Sequence, residues 1–538
     1  MILLLVLALG YWVRAQTLVA VPKQGGTYVE GLAGSPFYLN PLLSYYNDID
    51  RDLCRLVFDG LTESHASGEI VPNLALRWDL SEDGLSYTFH LREDVRWHDR
   101  VPFTARDVLF TIKAIQDPGY RGSYDLAAFW RDVKVEMVNM YTIRFSLPQP
   151  FAPFPGFTTI GLLPAHLLSD VSSQALLAHP FNASPVGTGS FRVVEMNMEH
   201  ILLERNPHDY RPQPYLDRLE FKFYPGHQAL LPAYRQGEID GISRALLEDL
   251  PSIWADQSLN LYSAPVADYA LVFLNCQSPL FQDKVVRQAL LYATDRQALI
   301  NQFLNGQGVV AHSPIFPYSW AYDPAIKQYA YDPERAAQLL NQAGWLEVDE
   351  AEERHKAGKK LAFTLLTSGE ARRVKIAEEL ARQWAEVGIK ATPQAVGVAE
   401  LIRDYLKPRR FEAVLYEWQQ LPLDPDPYPL WHSTQAEDPG QNFAGLLDDA
   451  LDILLEEGRL NRNPEVRKRL YDQFQQLYAE EAPSLLLYYP VYHYAISRRV
   501  HNVQLGPLFD ASDRFRTIRG WYMLTRRVIA SEAKFASP

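Results

Sequence analysis

The sequence predicts an α/β protein with at least two lobes. Its 538 residues exceed what one hydrophobic core organises, so we expect the chain to divide. Residues 361–396 follow a strand–helix–strand order, which is typical of an α/β unit. A content of 47% hydrophobic and 22% charged residues is ordinary for a globular protein and gives no sign of disorder.

The amino-terminal half carries clear local signals. Tyr87, Phe89 and Leu91 alternate with polar residues, and this period of two predicts a half-buried strand. Thr104 stands three residues before Asp107, the spacing of a capping box, and apolar residues follow at helical intervals. A helix is therefore predicted to begin directly after Thr104.

The carboxy-terminal half shows the same kinds of signal. Asp332 followed by Pro333 predicts the start of a helix, and Gly344 predicts its end. Residues 411–418 predict a strand that leads into a proline-rich run, and residues 485–497 predict a strand that carries the chain back.

Composition and motifs narrow the function classes. A net charge of −13 argues against a nucleic-acid binder, which needs basic patches for phosphate. The chain has no Gly-x-Ser-x-Gly, His-Glu-x-x-His or nucleotide-binding glycine loop, so we expect neither an enzyme nor a cofactor or metal site. Cys54 and Cys276 are expected to be buried free thiols, and without a C-x-x-C pair structural zinc is not expected.

The amino terminus predicts the location of the protein. Residues 1–13 are almost wholly apolar, and polar sequence begins at Arg14. Thirteen residues match the apolar core of a secretory signal and are too few to span a bilayer comfortably. We therefore expect residues 1–16 to be a signal peptide or a membrane anchor, which allows membrane association, and the rest to be extracytoplasmic. There is no cysteine near the end of this run, so the sequence does not support a lipoprotein anchor.

Several ordered motifs resemble one family. Residues 69–118 contain W-x-x-S-x-D-G-x-x-Y-T-F-x-L-R, V-x-W-H-D and P-F-T-A-x-D-V, and residues 185–195 read PVGTGSFRVVE. Together with the turn at residues 39–41 they resemble the extracytoplasmic solute-binding proteins (family 5) of peptide-type ABC importers, which include dipeptide, oligopeptide and nickel binders. The resemblance covers roughly residues 25–520.

The resemblance implies a two-lobed, periplasmic-binding-protein-like fold of type II (large cluster), with an extra subdomain in the first lobe. It implies a monomeric receptor that encloses a peptide or similar small solute between its lobes and delivers it to ABC permease and ATPase subunits. The implied organisation is a signal or anchor at 1–16, a first-lobe core at 25–72 and 180–270, an extra subdomain at 73–179, a second lobe at 271–490, a return to the first lobe at 491–525 and a tail at 526–538.

Matching positions give the candidate ligand-binding residues. They are expected to face the space between the lobes, with Trp418 as a stacking surface and Tyr416 on the same face of its strand. The full set is Gly187, Thr188, Gly189, Phe273, Asn275, Tyr416, Trp418, Asp424 and Asp426.

One departure from the family pattern bears on the ligand. Dipeptide and oligopeptide binders carry an aspartate three residues after this tryptophan, where it pairs with the peptide ammonium, and here that position is Leu421. A buried ammonium without a carboxylate partner is costly, so either Asp424 or Asp426 substitutes or the ligand lacks a free amine, as an oligosaccharide does. Three other interpretations of the function remain: a binder of a nickel chelate, a hydrolase using Asp424 and Asp426, and a regulatory module that keeps the receptor fold for sensing.

Overall fold

The structure, a computed structural model, describes residues 18–65, 67–419 and 421–529. The predicted signal or anchor at 1–16 lies outside the described residues. Within the described ranges, none of the helices combines the length and apolar character needed to cross a membrane.

The first lobe is built on one half of a long mixed sheet. Its parallel strand pair Thr27–Ala33 and Arg218–Tyr224 lies at the centre, and short helices cover the faces. The other strands of this half are Phe191–Met196, His200–Arg205, Gly241–Ile242 and Leu259–Pro265, and the helices are Asp48–Val57, Leu230–Arg235 and Leu250–Ala255.

A separate antiparallel sheet stands beside this core. Its strands are, in order, Ala75–Leu80, Ser86–Leu91, Thr142–Ser146 and Lys134–Asn139, and its helices are Ala105–Gln116, Tyr124–Trp130, Phe154–Phe157 and Ala165–Leu168. The strand predicted by alternation is confirmed, with Tyr87, Phe89 and Leu91 buried. The capping box is confirmed too, because the side chains of Thr104 and Asp107 each bond the other residue's backbone. A small ribbon, Thr62–Ser64 with Ile70–Pro72, leads into this sheet.

The second lobe uses the other half of the long sheet. Its strands are Tyr269–Leu274, Gly308–Val310, Ala362–Ser368, Lys390–Val396 and Ala413–Trp418, with a small ribbon of Glu347–Val348, Arg354–Lys356 and Lys359–Lys360. Its helices are Lys284–Tyr292, Arg296–Phe303, Pro333–Gln342, Ala371–Ala385, Val398–Glu400, Tyr428–Trp431, Asp449–Leu460 and Pro464–Glu481. The predicted helix start is confirmed, because the Asp332 side chain accepts a hydrogen bond from the backbone N–H of Arg335.

One strand joins the two halves, and we call Ser484–Ser497 the shared strand. Its first part pairs with Tyr269–Leu274 and Gly308–Val310 of the second lobe. Its last part pairs with Leu259–Pro265 and Gly241–Ile242 of the first lobe. The described strands of both lobes thereby form one hydrogen-bonded sheet of twelve strands.

Each lobe has its own hydrophobic core. Trp97, Trp130 and Trp521 are fully buried in the first lobe, and Trp384 and Trp431 in the second. Both cysteines are buried and free, as predicted.

The carboxy terminus differs from the sequence prediction. Residues 526–529, assigned to a tail, belong to the strand Leu524–Ile529, which pairs antiparallel with Leu18–Lys23. The reason is tertiary: the strand has a partner more than 500 positions away that local pattern does not reveal. The other domain bounds stay predictions, and the separate sheet falls within 73–179.

Candidate ligand-binding site

Each lobe contributes a pair of neighbouring aromatic side chains to the candidate site. Alternation along the strand Ala413–Trp418 puts Tyr416 and Trp418 on one face, half-buried, with ring centroids 6.4 Å apart. Trp418 packs against Phe443 at 6.1 Å, which fixes the indole. From the first lobe, Tyr45 and Tyr46 are 46% and 69% exposed and meet edge to face at 5.2 Å.

Tyr45 of the first lobe lies close enough to Tyr416 of the second lobe to affect its pKa. Burial raises the pKa of Tyr416, and the Tyr45 hydroxyl of the first lobe adds to this rise. We call the space between Tyr45, Tyr46, Tyr416 and Trp418 the aromatic gap. It offers a ligand wide, rigid contact area at low entropic cost.

Ion pairs hold the rim of the aromatic gap. Arg51 donates to Asp48 at 2.7 Å and to Asp510 at 2.8 Å, and also to the carbonyl oxygen of Tyr45 at 2.7 Å. In the second lobe the Arg373 guanidinium donates to Glu417 at 2.7 Å, next to Trp418 in the chain. The rim therefore carries both signs of charge, already paired within each lobe.

The proline loop, Pro422–Pro427, holds its two aspartates differently. Asp424 is fully engaged, since Arg467 donates to both of its carboxylate oxygens at 2.9 Å. Asp426 accepts one bond from Arg459 at 2.9 Å through Oδ2, while its Oδ1 is buried without a hydrogen-bond partner. Burial raises the pKa of Asp426, and Arg459 opposes the rise.

A cavity of about 20 Å³ adjoins this free oxygen. It is lined by Leu421, Phe316, Pro425, Asp426 and Trp431, and the indole N–H of Trp431 is likewise buried without an acceptor. The volume suits one water molecule or one small polar group. Leu421 and Asp426 thus line the same small cavity, and the Oδ1 atom of Asp426 could accept a hydrogen bond from a ligand.

The lobes touch beside the proline loop. The backbone N–H of Ala152 donates to the carbonyl oxygen of Arg459 at 2.8 Å, and the Arg459 guanidinium lies 5.1 Å from the ring centre of Phe151. Arg462 donates to the Ser81 carbonyl oxygen at 2.9 Å. The separate sheet and its loops therefore meet the second lobe at one edge of the aromatic gap.

The turn Gly187–Thr188–Gly189 is buried inside the first lobe, away from the aromatic gap. The backbone N–H of Gly189 donates to the Val57 carbonyl oxygen at 2.9 Å, and the hydroxyl of Thr188 donates to Asp59 at 3.1 Å. His98 bridges the two glycines, accepting from the N–H of Gly187 at 3.1 Å and donating to the Gly189 carbonyl oxygen at 3.0 Å. Burial lowers the pKa of His98 to about 4, so the imidazole stays neutral in this structural role.

We expect the Gly187→Ala substitution to destabilise the protein by about 2 kcal/mol or more, because a methyl group there overpacks the turn. The added Cβ would lie 1.8 Å from the Val57 carbonyl oxygen, a backbone atom that cannot move aside. Urea unfolding measures the loss. The matched control is Gly369→Ala, whose Cβ would meet nothing closer than 3.9 Å. Equal stability of both variants would contradict the assigned packing.

Phe273 lies directly behind the aromatic gap, with its ring centroid 6.5 Å from that of Tyr416, whereas Asn275 is placed away from the gap. Phe273 is buried in the second-lobe core against Phe443 at 5.7 Å. The strand register pairs Tyr269 with Trp418, so Asn275 lies past the opposite end, roughly 20 Å from Trp418. The Asn275 amide donates to the carbonyl oxygen of Phe411 at 2.8 Å and so secures the loop there.

Of the nine predicted residues, the structure groups Tyr416, Trp418 and Phe273 and holds Asp424 and Asp426 by arginines in the proline loop. The sequence reasoning missed Tyr45, Tyr46, Arg51, Arg373 and Glu417. One signal could have found the first two: a pair of tyrosines directly after the turn at residues 39–41, on a lobe expected to face the ligand.

Comparisons with known proteins agree with this architecture. The family described as bacterial extracellular solute-binding proteins, family 5 Middle, matches residues 69–439. The oligopeptide-binding protein AppA of Bacillus subtilis is 29% identical over 91% of each chain. The dipeptide-binding protein of Escherichia coli is 28% identical over 93% of this chain and 96% of the relative.

Solved structures give the same result. AppA from Bacillus subtilis in complex with a nonapeptide superposes with a TM-score of 0.72 at 28% identity, covering 94% of this chain and all of AppA. NikZ from Campylobacter jejuni in complex with Ni(L-His) gives a TM-score of 0.73 at 28% identity, covering 93% of this chain and all of NikZ.

Proposed function

The chain belongs to family 5 of the bacterial extracellular solute-binding proteins, and from this premise we propose that it captures a peptide in the aromatic gap and hands it to an ABC permease. The observation that carries the proposal is an aromatic pair on each lobe, Tyr45 with Tyr46 and Tyr416 with Trp418, with Tyr45 near enough to Tyr416 to contribute to the rise of its pKa. Closure of such a gap buries a ligand between aromatic surfaces and main-chain groups. Relatives named for oligopeptides and dipeptides support peptide as the ligand class.

The proline loop supports binding in preference to hydrolysis. Asp424 is held by Arg467 through both oxygens, and Asp426 shares one oxygen with Arg459. Carboxylates fixed in this way are poorly suited to exchange protons as an acid–base pair. We also propose that residues 1–16 direct or anchor the chain outside the cytoplasm and that it acts as a monomer.

Thermal unfolding of residues 18–538 against a ligand library tests the proposal. The library holds di- to nonapeptides, oligosaccharides and nickel chelates, because a ligand that binds only the folded state raises the unfolding midpoint. We expect peptides to raise it. A rise with nickel chelates alone would assign the ligand class of NikZ, and a rise with sugars alone would reject peptide as the ligand.

Within this proposal, Asp426 takes the role of the family's aspartate, whose position in this chain is occupied by Leu421. We expect Asp426→Asn to weaken binding of free-amine peptides about tenfold, because an ammonium donating to the free Oδ1 would lose a charge-assisted hydrogen bond. Calorimetric titration measures the change. Each peptide's N-acetylated form is the matched control, since it carries no ammonium and should bind both proteins equally.

Two results would remove Asp426 from this role. One is an equal loss for free and acetylated peptides, which would indicate a general disturbance of the proline loop. The other is full affinity in the variant. The unfolding midpoint without ligand shows whether the variant keeps its fold.

A further inference from the structure

A second, larger cavity lies in the first lobe, and we call it the arginine cavity. Its volume is about 230 Å³. Five of its lining residues are arginines: Arg51, Arg55, Arg211, Arg516 and Arg519. It runs along the helix Asp48–Val57 toward the carboxy-terminal end, whereas the aromatic gap lies at the amino-terminal end beside Tyr45. A cavity so rich in cations stands out in a chain with a net charge of −13.

Two of the five arginines are neutralised within the protein. Arg211 donates to both oxygens of Asp59 at 2.8 and 3.1 Å, and it also bonds Asp209. Although burial opposes it, this guanidinium lowers the pKa of Asp59. Arg51 has Asp48 and Asp510, as described for the rim. These two arginines therefore form the walls of the cavity and have little charge left for a ligand.

Two further arginines share one carboxylate, that of Asp513. Arg516 Nη2 lies 2.8 Å from Asp513 Oδ2, and Arg55 Nη2 lies 4.0 Å from Oδ1. Oδ2 already accepts the backbone N–H groups of Phe509 at 3.0 Å and Asp510 at 3.2 Å. Arg516 also donates from Nη1 to the carbonyl oxygen of Pro507 at 3.4 Å, while its Nε is buried with no acceptor. Buried guanidinium N–H groups without acceptors are costly.

The two remaining charged residues of the lining, Arg519 and Glu63, lack ion-pair partners among the described residues. No carboxylate in the described ranges pairs with the Arg519 guanidinium, although Arg519 lines the cavity. Glu63 also lines it and has no basic partner in the part of the chain that the structure describes. Among the arginines that line the cavity, Arg519 is therefore the one left without a carboxylate partner in the described ranges, and Arg516 keeps an Nε–H without an acceptor.

We propose that the arginine cavity is a second binding site, separate from the aromatic gap, for a small solute carrying an oxyanion, either a carboxylate or a phosphate. The oxyanion would accept the free Nε–H of Arg516 together with N–H groups of Arg55 and Arg519. Guanidinium groups match the planar, bidentate geometry of these anions. A volume of about 230 Å³ admits a compact metabolite or inorganic phosphate, whereas an extended peptide needs more room.

Calorimetric titration of the intact protein with inorganic phosphate, and separately with acetate, tests this site at constant ionic strength. We expect saturable binding, and the two probes show which oxyanion is preferred. Arg519→Gln should weaken it about tenfold, as loss of one charged donor does. Arg519→Lys should recover part of the affinity because it keeps the charge. Glu63→Gln should strengthen binding, because it removes a repulsive carboxylate without removing a donor.

The opposite signs expected for Arg519→Gln and Glu63→Gln separate a charge-selective site from simple loss of folding. Trp418→Ala should leave phosphate and acetate binding unchanged, which separates the cavity from the aromatic gap. Arg403→Gln, at an exposed position far along the second lobe, controls for net charge. Failure of both anions to bind saturably, or equal affinity in all variants, would overturn the proposal.

Discussion

Replacing Trp418 by alanine is expected to weaken peptide binding about thirtyfold, the loss typical of a central aromatic contact. The indole is half-buried, held by Phe443, and lies beside Tyr416 on the face that meets Tyr45. Its removal takes away a rigid stacking surface and lets water into the aromatic gap. Titration with the best peptide from the library measures the effect.

The control for this experiment is Trp254→Ala. Trp254 is 58% exposed on the first-lobe helix Leu250–Ala255, so its removal should leave affinity unchanged. Trp418→Phe keeps an aromatic ring and should lose only a few-fold. Equal affinities of the wild type and Trp418→Ala would show that the ligand does not stack on this residue.

Replacing Arg514 by leucine is expected to destabilise the protein by about 3–5 kcal/mol, the cost of breaking a buried ion pair. Arg514 is buried between Glu30, with a shortest contact of 2.8 Å, and Asp52, with a shortest contact of 2.5 Å. The hydroxyls of Tyr28 and Tyr494 donate to the other oxygen of Glu30 at 2.7 and 2.6 Å. The buried charge of Glu30 is therefore stabilised by these two hydroxyls and by Arg514. Without the guanidinium, two buried carboxylates face each other. Urea unfolding measures the change.

The size of this loss should depend on pH. Burial raises the pKa of Asp52 to about 6, against the opposing effect of Arg514. A raised carboxyl pKa means that the folded chain holds a proton the unfolded chain releases near pH 4, so this group's contribution falls as pH rises from about 4 to 6. Removing Arg514 takes away the group that opposes this rise, so we expect the pKa of Asp52 to be higher still in the variant and the Arg514→Leu deficit to be smaller at pH 5 than at pH 8.

Arg403→Leu is the matched control for stability. Arg403 is 70% exposed and pairs with Asp404 beside it, so its loss should leave stability almost unchanged at either pH. A deficit of Arg514→Leu that stays constant from pH 5 to pH 8 would contradict the role given to Asp52.

The sequence predicts those elements that depend on interactions between residues a few positions apart. The capping box at Thr104 and the alternation around Phe89 depend on neighbours a few positions away, and both appear in the structure. The family resemblance supplied the two-lobed fold, which no periodicity could give. Trp418 and Tyr416 were placed on one face because a strand alternates regularly.

The rest of the candidate site depends on distant pairs. Arg211 reaches Asp59 across 152 positions, and this pair, with Val57, decides that Gly187 packs inward. The register of the strand pair decides that Asn275 and Trp418 lie at opposite ends. The sequence alone likewise could not tell Asp424, engaged at both oxygens, from Asp426, which keeps one free.

The shared strand has a consequence for when this chain can fold during synthesis. Ser484 is preceded by 483 of the 538 residues, yet the strand it begins supplies ladder partners to both lobes. Until the ribosome has made that segment, the strands Tyr269–Leu274 and Leu259–Pro265 each lack a central neighbour. Neither half of the sheet can therefore be completed before the shared strand is made, so the two lobes gain their native pairing late in synthesis and at the same step.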